Sequence, residues 1–420
     1  MSKYIINGPA TLSGKVKISG AKNAALKLIP AAILADSPST INNVPDIVDV
    51  EKMIQIIRGT GAKIEKKGNT IKIDPRGINK TDLDKNYVKK LRGSIVLVGP
   101  MLAKFGRITF SQPGGCLIGV RTIDDHIDLF KQLGIKMSSK GETLTLTGKP
   151  KAGEITLGKL SVTATENAIM SSVLSNGTTN IFVAAAEPEI IDLANFLNKM
   201  GAKIEGAGTH QIKITGVKTL SGTDYSVMPD RIETGTFLIY AIATNSEIEI
   251  NPVNPENLSL VLKILEQSGA NFEIIDNGKY YSIKTKKHRE LKSVDIDTRT
   301  YPGFPTDLQS VYSVLATQTN GKTRIFETLF ESRFGYISEL SKMAAEITIE
   351  SPHIVRINGK TLLSAAKIDC SDIRGGAALV LAALIADGQT EIDNIELIER
   401  GYENMDQKLK GLGVDIKVIR

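Results

Sequence analysis

The sequence has few of the residues that build metal centres or disulfide frameworks. Its 420 residues include two cysteines, four histidines and no tryptophan. No CxxC or HExxH spacing occurs, so we expect neither a transition metal nor a cofactor. We expect Cys116 and Cys370 to be free thiols, because a large protein in a reducing compartment gains little from a single disulfide.

Long apolar runs are also missing. No stretch approaches the roughly 18 to 20 apolar residues that cross a bilayer, and the opening MSKYIINGPATLSG has no apolar signal core. We therefore expect a cytoplasmic protein with no membrane partner. The 52 basic and 46 acidic residues give a net charge of +6. This mild excess suits anionic ligands and does not indicate a nucleic-acid partner.

Two sequence elements recur six times, with a period of about 70 residues. One is an apolar helix that ends at glycine-alanine or a variant and is followed by a short alternating strand. Its aligned positions are Gly61, Gly134, Gly201, Gly269, Ala344 and Gly413. Glycine suits this position because the left-handed conformation that ends a helix costs it little. The other element is a strand introduced by small polar residues, as in STINNVP.

These elements predict an α/β protein built from six pseudo-repeats, each a βαβαββ unit. The sixth unit ends at VDIKVI without a hairpin partner, and the amino-terminal YIINGP resembles the missing strand. We therefore expect the first strand to pair with the last. Three units per lobe give two lobes, residues 22–229 and residues 1–21 with 230–420. We expect the active site in the cleft between them.

The stretch SQPGGCLIGVR interrupts the repeat, because the equivalent place in the third unit runs directly into a helix. It places Cys116 among glycines. One interpretation is a flexible surface turn with an incidental cysteine. The other is a loop that presents its thiol as a nucleophile or an acid.

Charged residues at the junctions of elements and loops also depart from the repeat. The arginines are Arg92, Arg121, Arg333, Arg374 and Arg400. Several arginines at one site would bind phosphate or carboxylate, although each alone also fits a surface salt bridge. Lys22 begins an apolar helix, where the alternatives are an anion contact and a solvated side chain. Asp307 follows the proline-constrained YPGFP, which fits either a helix cap or a general base.

Seven motifs together resemble the enolpyruvyl transferases. In the family's order they are SGAKNAAL, PGGCLIGVR, MPDRIETGTF, PGFPTDLQ, FESRF, DIRGGAALV and ERGYENMDQKL. The resemblance implies two inverse α/β barrel-like lobes, each of three βαβαββ units. It also implies transfer of the enolpyruvyl group of phosphoenolpyruvate to the 3'-hydroxyl of UDP-N-acetylglucosamine, with release of phosphate, at the start of peptidoglycan synthesis.

The resemblance further implies roles for individual residues. Cys116 matches the general acid toward the methylene carbon, which forms a covalent adduct and is alkylated by fosfomycin. Asp307 matches the carboxylate near the sugar hydroxyl, and Lys22 is a third catalytic residue. The residues matched to phosphoenolpyruvate binding are Lys22, Asn23, Arg121, Arg333, Arg374 and Arg400. Those matched to sugar-nucleotide binding are Arg92, Arg121, Thr122, Ile123, Asp124, Asp125, Lys159, Ser161, Val162, Thr306, Asp307 and Leu329. Thr163 stands where the family usually has glycine.

Three other functions compete with this interpretation. The sister transferase that acts on shikimate 3-phosphate lacks the cysteine of PGGC. A DNA clamp of six αβ units would need basic helices, whereas EPEIIDLANFLNKMG is mixed in charge. A non-catalytic sugar-nucleotide sensor would have no need to keep thiol, carboxylate and arginines together. We expect a monomer whose partners are two small-molecule substrates, phosphoenolpyruvate and UDP-N-acetylglucosamine.

Overall fold

The computed structural model describes residues 2–114 and 122–420, and both Cys116 and Arg121 lie outside them. The described residues divide into two compact lobes. The first lobe holds residues 20–114 and 122–228, and the second holds residues 2–19 and 229–420. An active site that draws on both lobes stays a prediction.

The described part of the first lobe contains seven α-helices and eleven strands. The helices are α1 (Lys22–Ala31), α2 (Val48–Gly59), α3 (Lys85–Val88), α4 (Val98–Phe105), α5 (Asp124–Gln132), α6 (Val162–Ser172) and α7 (Pro188–Lys199). The strands are β3 (Ser39–Asn42), β4 (Lys63–Lys67), β5 (Thr70–Asp74), β6 (Arg107–Ser111), β7 (Lys136–Lys140), β8 (Thr143–Thr147), β9 (Glu154–Thr156), β10 (Thr178–Phe182), β11 (Lys203–Glu205), β12 (Gln211–Thr215) and β13 (Asp224–Ser226).

The described part of the second lobe contains six α-helices and twelve strands. The helices are α8 (Arg231–Ala243), α9 (Ser259–Gln267), α10 (Thr306–Ala316), α11 (Ile337–Lys342), α12 (Ile373–Ile385) and α13 (Met405–Gly411). The strands are β1 (Lys3–Gly8), β2 (Ser13–Lys17), β14 (Glu247–Val253), β15 (Asn271–Asp276), β16 (Tyr281–Lys286), β17 (Ile296–Asp297), β18 (Gly321–Phe326), β19 (Ile347–Ser351), β20 (Ile354–Gly359), β21 (Lys367–Asp369), β22 (Gly388–Asp393) and β23 (Ile416–Ile419).

Six small sheets repeat one arrangement. Among the described residues, five sheets have four strands, with two antiparallel pairs and one parallel pair at an edge. In the remaining sheet β6, β8 and β7 pair antiparallel, and Asp82 forms an isolated parallel bridge to Thr109 of β6. The recurrence confirms the predicted α/β fold of six βαβαββ units.

The first and last strands pair, as the sequence predicts. β1 runs antiparallel to β23, with Lys3 opposite Ile419 and Ile6 opposite Ile416. On its other side β1 pairs with β22. The amino-terminal strand therefore completes the sixth unit.

Each lobe has its own apolar core, which surrounds three inner helices. The inner helices are α1, α4 and α6 in the first lobe and α8, α10 and α12 in the second. In α12, every residue from Arg374 to Leu384 is buried. A helix that is apolar on nearly all sides needs cover on all sides, and here the sheets and the outer helices supply it. Consequently, the ends of the inner helices are where polar groups reach the surface.

The outer helices α2, α5, α7, α9, α11 and α13 are each followed, within two residues, by a residue with positive φ. The angles are 107° at Gly61, 74° at Gly134, 107° at Gly201, 90° at Gly269, 66° at Ala344 and 90° at Gly413. These values confirm the aligned position of the six repeats. Ala344 is the one member with a Cβ, and it adopts the left-handed conformation because the chain must reverse there into the β19–β20 hairpin.

Ala344→Gly should raise the free energy of unfolding by about 1 kcal/mol. The left-handed conformation costs a residue with a Cβ roughly 1–2 kcal/mol, and the greater freedom of glycine in the unfolded chain offsets part of that gain. Urea denaturation measures the change. Gly413→Ala, at the equivalent position of the last unit, is the matched control and should lower stability. An Ala344→Gly protein no more stable than the parent would contradict this account.

Candidate active site

A carboxylate flanked by two buried arginines lies in the second lobe. Asp307 is the second residue of α10, and its Oδ1 and Oδ2 each accept a hydrogen bond of 2.9 Å from Nη2 of Arg333 and of Arg374 respectively. The arginine side chains are 4% and 7% exposed, whereas that of Asp307 is 30% exposed. The group is therefore a concentrated, partly accessible set of charges rather than a solvated surface ion pair.

Local structure fixes the position of Arg374. Asp372 caps α12 and accepts the backbone N–H groups of Arg374 and Gly375, which places Arg374 in the first turn. Its guanidinium carbon lies 5.1 Å from the centre of the Tyr402 ring. Burial alone would lower the pKa of Arg374, but Asp307 and Tyr402 outweigh burial and raise it. Among the described residues, Nε of Arg333 is buried without a hydrogen-bond partner. Arg374 therefore keeps its positive charge despite its burial.

Two further predicted residues of this lobe, Thr306 and Leu329, are linked through Glu327. Thr306 begins α10, and its carbonyl accepts a hydrogen bond of 3.2 Å from Arg333. Leu329 follows β18, and both Thr306 and Leu329 are hydrogen-bonded to the buried Glu327. Arg400 lies in the turn before α13, two residues before Tyr402.

In the first lobe, Lys22 begins α1 as predicted and is 8% exposed. Its Nζ lies 2.8 Å from Oδ2 of Asp49 on α2, and Nζ of Lys52 lies 3.9 Å from the other oxygen. Asn23 is the second residue of α1. The start of an inner helix therefore carries an ammonium group whose position is set by a buried carboxylate, where helix N–H groups also favour anions.

Arg92 holds the backbone on either side of residues 115–121. Its Nη1 donates to the carbonyl of Pro113 over 3.3 Å, and its Nη2 donates to the carbonyl of Thr122 over 2.9 Å. Arg92 begins a short 3-10 helix, Arg92–Leu97. These contacts give this arginine a structural task in addition to the predicted ligand contact.

The structure brings together two stretches predicted to contact the sugar nucleotide, residues 122–125 and 159–162. Nζ of Lys159 lies 2.9 Å from Oδ2 of Asp125. Ile123 precedes α5 and Asp124 begins it, while Ser161 caps α6 by accepting the N–H of Ala164 and Val162 begins that helix. The starts of α5 and α6 are therefore neighbours.

A buried histidine makes a second connection between these two helices. Nε2 of His126 lies 3.1 Å from the hydroxyl of Thr163, and its Nδ1 lies 3.1 Å from the Asn167 amide nitrogen. Since the Asn167 amide donates to Nδ1, the proton of the neutral ring sits on Nε2. Burial lowers the pKa of His126 to about 4, with Arg92 and Lys159 adding to the effect against Asp125. Thr163, which departs from the family pattern, thus binds its neighbour through its side chain.

Four residues of these clusters were not predicted from the sequence: Asp49, His126, Glu327 and Tyr402. In the sequence, Asp49 and Glu327 look like ordinary solvated acids beside the ends of a helix and a strand. Only their burial in the structure distinguishes them from such residues. His126 follows two predicted residues in DDHI, and Tyr402 follows Arg400 in ERGY. Proximity to motif residues was the available signal for these last two.

Among the described residues, no group of three histidine, cysteine, aspartate or glutamate side chains is arranged to hold a metal ion. In the same residues no helix is long and apolar enough to cross a bilayer. The clusters described above contain arginine and lysine cations, a partly exposed carboxylate and the starts of helices. Such groups bind anions and stabilise developing charge.

Comparison with known proteins finds a matching family model and full-length relatives. The family model described as EPSP synthase (3-phosphoshikimate 1-carboxyvinyltransferase) matches residues 6–409. The chain is 42% identical over 421 residues to UDP-N-acetylglucosamine 1-carboxyvinyltransferase 3 of Caldanaerobacter subterraneus, and the match covers 100% of both chains. It is 44% identical over 415 residues to UDP-N-acetylglucosamine 1-carboxyvinyltransferase of Campylobacter hominis, covering 98% of each.

Solved structures share the fold. The enolpyruvyl transferase NikO from Streptomyces tendae matches with a TM-score of 0.88 and 24% identity, over 99% of this chain and 98% of that one. EPSP synthase from Acinetobacter baumannii matches with a TM-score of 0.79 and 18% identity over the full length of both chains. At these identities the likeness supports the fold.

His126 should make the protein less stable in acid. Its pKa is about 4 when folded and 6.5 ordinarily, so the unfolded chain binds a proton first as the pH falls. The unfolding free energy should therefore decrease between about pH 6.5 and pH 4, by roughly 3 kcal/mol from this residue. In His126→Gln this decrease in the unfolding free energy should disappear. Urea denaturation between about pH 6.5 and pH 4 measures it. His210→Gln, at a less buried histidine of the same lobe, is the control. Identical pH profiles for His126→Gln and the parent would refute this.

Proposed function

The chain belongs to the EPSP synthase family of enolpyruvyl transferases, and from this membership we propose that it is the enzyme that transfers enolpyruvyl from phosphoenolpyruvate to UDP-N-acetylglucosamine. Phosphate is the second product. The observation that carries the proposal is identity of 42–44% along essentially the whole chain to relatives named for this reaction. The reaction begins peptidoglycan synthesis.

For phosphoenolpyruvate we propose a site of cations. Its members are Lys22, Asn23, Arg121, Arg333, Arg374 and Arg400. The substrate carries a phosphate and a carboxylate, and arginine matches both with paired N–H donors. The burial of Lys22, Arg333 and Arg374 supports this role, since desolvated cations attract anions more strongly than solvated ones.

For the sugar nucleotide we propose contacts in both lobes. The residues are Arg92, Arg121, Thr122, Ile123, Asp124, Asp125, Lys159, Ser161, Val162, Thr306, Asp307 and Leu329. The contact between Lys159 and Asp125 supports a common site for the first-lobe members. Thr306 and Leu329 are both hydrogen-bonded to Glu327, which supports a common site for the second-lobe members as well.

We propose an addition followed by an elimination. In the addition, the sugar 3'-oxygen bonds to C2 of phosphoenolpyruvate, Cys116 protonates the methylene carbon, and the hydroxyl proton passes to Asp307. In the elimination, the Cys116 thiolate takes a proton back from the former methylene carbon and the C2–O bond to phosphate breaks, which restores the double bond. The proton held by Asp307 leaves with the phosphate, so both residues return to their starting states. Arg333 and Arg374 orient the Asp307 carboxylate, each through one hydrogen bond to it. Lys22 stabilises the charge of the departing phosphate.

The remaining properties are also proposals. We propose a cytoplasmic location, because the substrates of this reaction are soluble nucleotides and phosphates, and a monomer remains our expectation. Neither a nucleic acid nor a membrane has a part in this reaction.

Phosphate release is the direct test of the proposed function. Purified protein with phosphoenolpyruvate and UDP-N-acetylglucosamine should release phosphate, and should release none when the acceptor is omitted or replaced by shikimate 3-phosphate. Release with shikimate 3-phosphate alone would assign the chain to the sister reaction. Binding of UDP-N-acetylglucosamine in calorimetry without phosphate release would indicate a sensor, and either result would overturn the proposal.

Cys116→Ser should reduce turnover by about 100-fold or more while leaving the Kd of UDP-N-acetylglucosamine unchanged, because a hydroxyl is a far weaker acid than a thiol. Steady-state phosphate release and calorimetry measure the two quantities. Cys370→Ala is the matched control, since Cys370 is a free, buried thiol whose pKa is raised by burial. Equal turnover in Cys116→Ser and in the parent would remove the role given to Cys116.

A further inference from the structure

Glu327 is a completely buried carboxylate in the second lobe, with 0% of its surface exposed. It follows directly on β18, and among the described residues no lysine, arginine or histidine side chain forms an ion pair with it. Burying an ion without a counter-ion is unfavourable unless hydrogen bonds replace its hydration. The partners of this carboxylate therefore indicate what it does.

Three donors from two separate segments converge on the carboxylate. Oε1 accepts the backbone N–H of Leu329 over 2.9 Å and that of Phe330 over 3.2 Å. Oε2 accepts the hydroxyl of Thr306 over 2.8 Å. Thr306 is the first residue of α10, where the helix N–H groups add favourable electrostatics for a negative charge. One side chain thus joins the start of α10 to the loop after β18.

The backbone of Glu327 is itself fixed. Its N–H donates to the carbonyl of His353 over 2.8 Å, and its carbonyl lies 2.7 Å from Nδ1 of the same residue. The next residue, Thr328, donates its N–H to the hydroxyl of Thr298 over 3.0 Å. Because its backbone is fixed, the Glu327 carboxylate does not move with the segments that it binds. The position of the carboxylate instead sets the positions of Thr306 and of the 329–330 loop.

The segments held by Glu327 carry three residues of the proposed acceptor site. Thr306 and Leu329 bind the carboxylate directly. Asp307 is adjacent to Thr306, and Arg333 binds both the Thr306 carbonyl and the Asp307 carboxylate. A shift of the start of α10 relative to the 329–330 loop would separate these groups, and errors of about 1 Å in a reacting geometry reduce rates by up to about 100-fold.

We propose that Glu327 is a positioning residue for the acceptor, which holds Thr306, Asp307 and Leu329 in register for the sugar nucleotide. This inference rests on the proposed function. It assigns the role to hydrogen bonding rather than to charge. A glutamine can accept both backbone N–H groups with its oxygen and donate its NH2 to the Thr306 hydroxyl, which can turn to accept it.

The test compares substitutions of Glu327 in the full-length protein, after the parent has been shown to release phosphate with UDP-N-acetylglucosamine. Glu327→Leu should lower kcat/KM for that acceptor by about 10- to 100-fold, while the KM for phosphoenolpyruvate changes less than about 3-fold. Glu327→Gln should stay within about 3-fold of the parent in both. Glu327→Asp keeps the charge but is one methylene shorter, so it should fall between them.

Glu339→Leu is the matched control for a general loss of stability. Glu339 is in the same lobe and also accepts a backbone N–H, that of Asp369 over 2.9 Å. Its substitution should lower the unfolding temperature without altering either KM. If Glu327→Leu does not fold, Glu327→Gln and Glu327→Asp decide: the inference predicts that the amide works better than the shorter acid.

Two results would overturn the inference while leaving the proposed function intact. One is a folded Glu327→Leu protein with unchanged kcat/KM for UDP-N-acetylglucosamine. The other is a Glu327→Gln protein as impaired as Glu327→Leu, or more impaired than Glu327→Asp, because charge rather than hydrogen-bond geometry would then be responsible. A parent without activity toward the sugar nucleotide would instead contradict the proposed function.

Discussion

A left-handed residue at the end of each outer helix is the constraint on which the architecture depends. It reverses the chain after the helix, so that in five units the following strand forms a hairpin with the next one, and in the sixth β23 pairs with β1. Because the reversal is the same in all six units, the inner helices of a lobe occupy equivalent places. Ala344 meets this requirement without glycine, which shows that the fold imposes the conformation and the residue type only makes it easier.

The predicted site residues of the inner helices lie at the helix starts, because most of the remaining length of each helix is buried. Lys22 begins α1, Ser161 precedes α6, Asp307 lies in the first turn of α10, and Arg374 in the first turn of α12. Helix starts expose backbone N–H groups and partial positive charge. A fold that repeats exposed helix starts can therefore supply several anion-binding sites of the same kind.

Features that recur in the six repeats, and features that lie within recognisable motifs, could be predicted from the sequence. The six units, the pairing of β1 with β23 and the helix starts at Lys22 and Asp307 follow from period and pattern. The contacts of Asp307 with Arg333 and Arg374 span 26 and 67 residues and have no periodic signal. Glu327 looks like a solvated acid at the end of a strand, and only three-dimensional packing makes it buried. These side-chain contacts between positions distant in the sequence thus could not be predicted from local pattern.

The pairing of β1 with β22 and β23 has a consequence for the order in which the protein folds during synthesis. Residues 20–228 leave the ribosome as a continuous segment whose core needs nothing that follows. β1 is made before them, yet both of its partner strands, Gly388–Asp393 and Ile416–Ile419, are made after them. β1 must therefore wait unpaired until β22 and β23 have been synthesised, so its alternating apolar side chains can cause aggregation during that time. The short length of β1, six residues, limits that exposure.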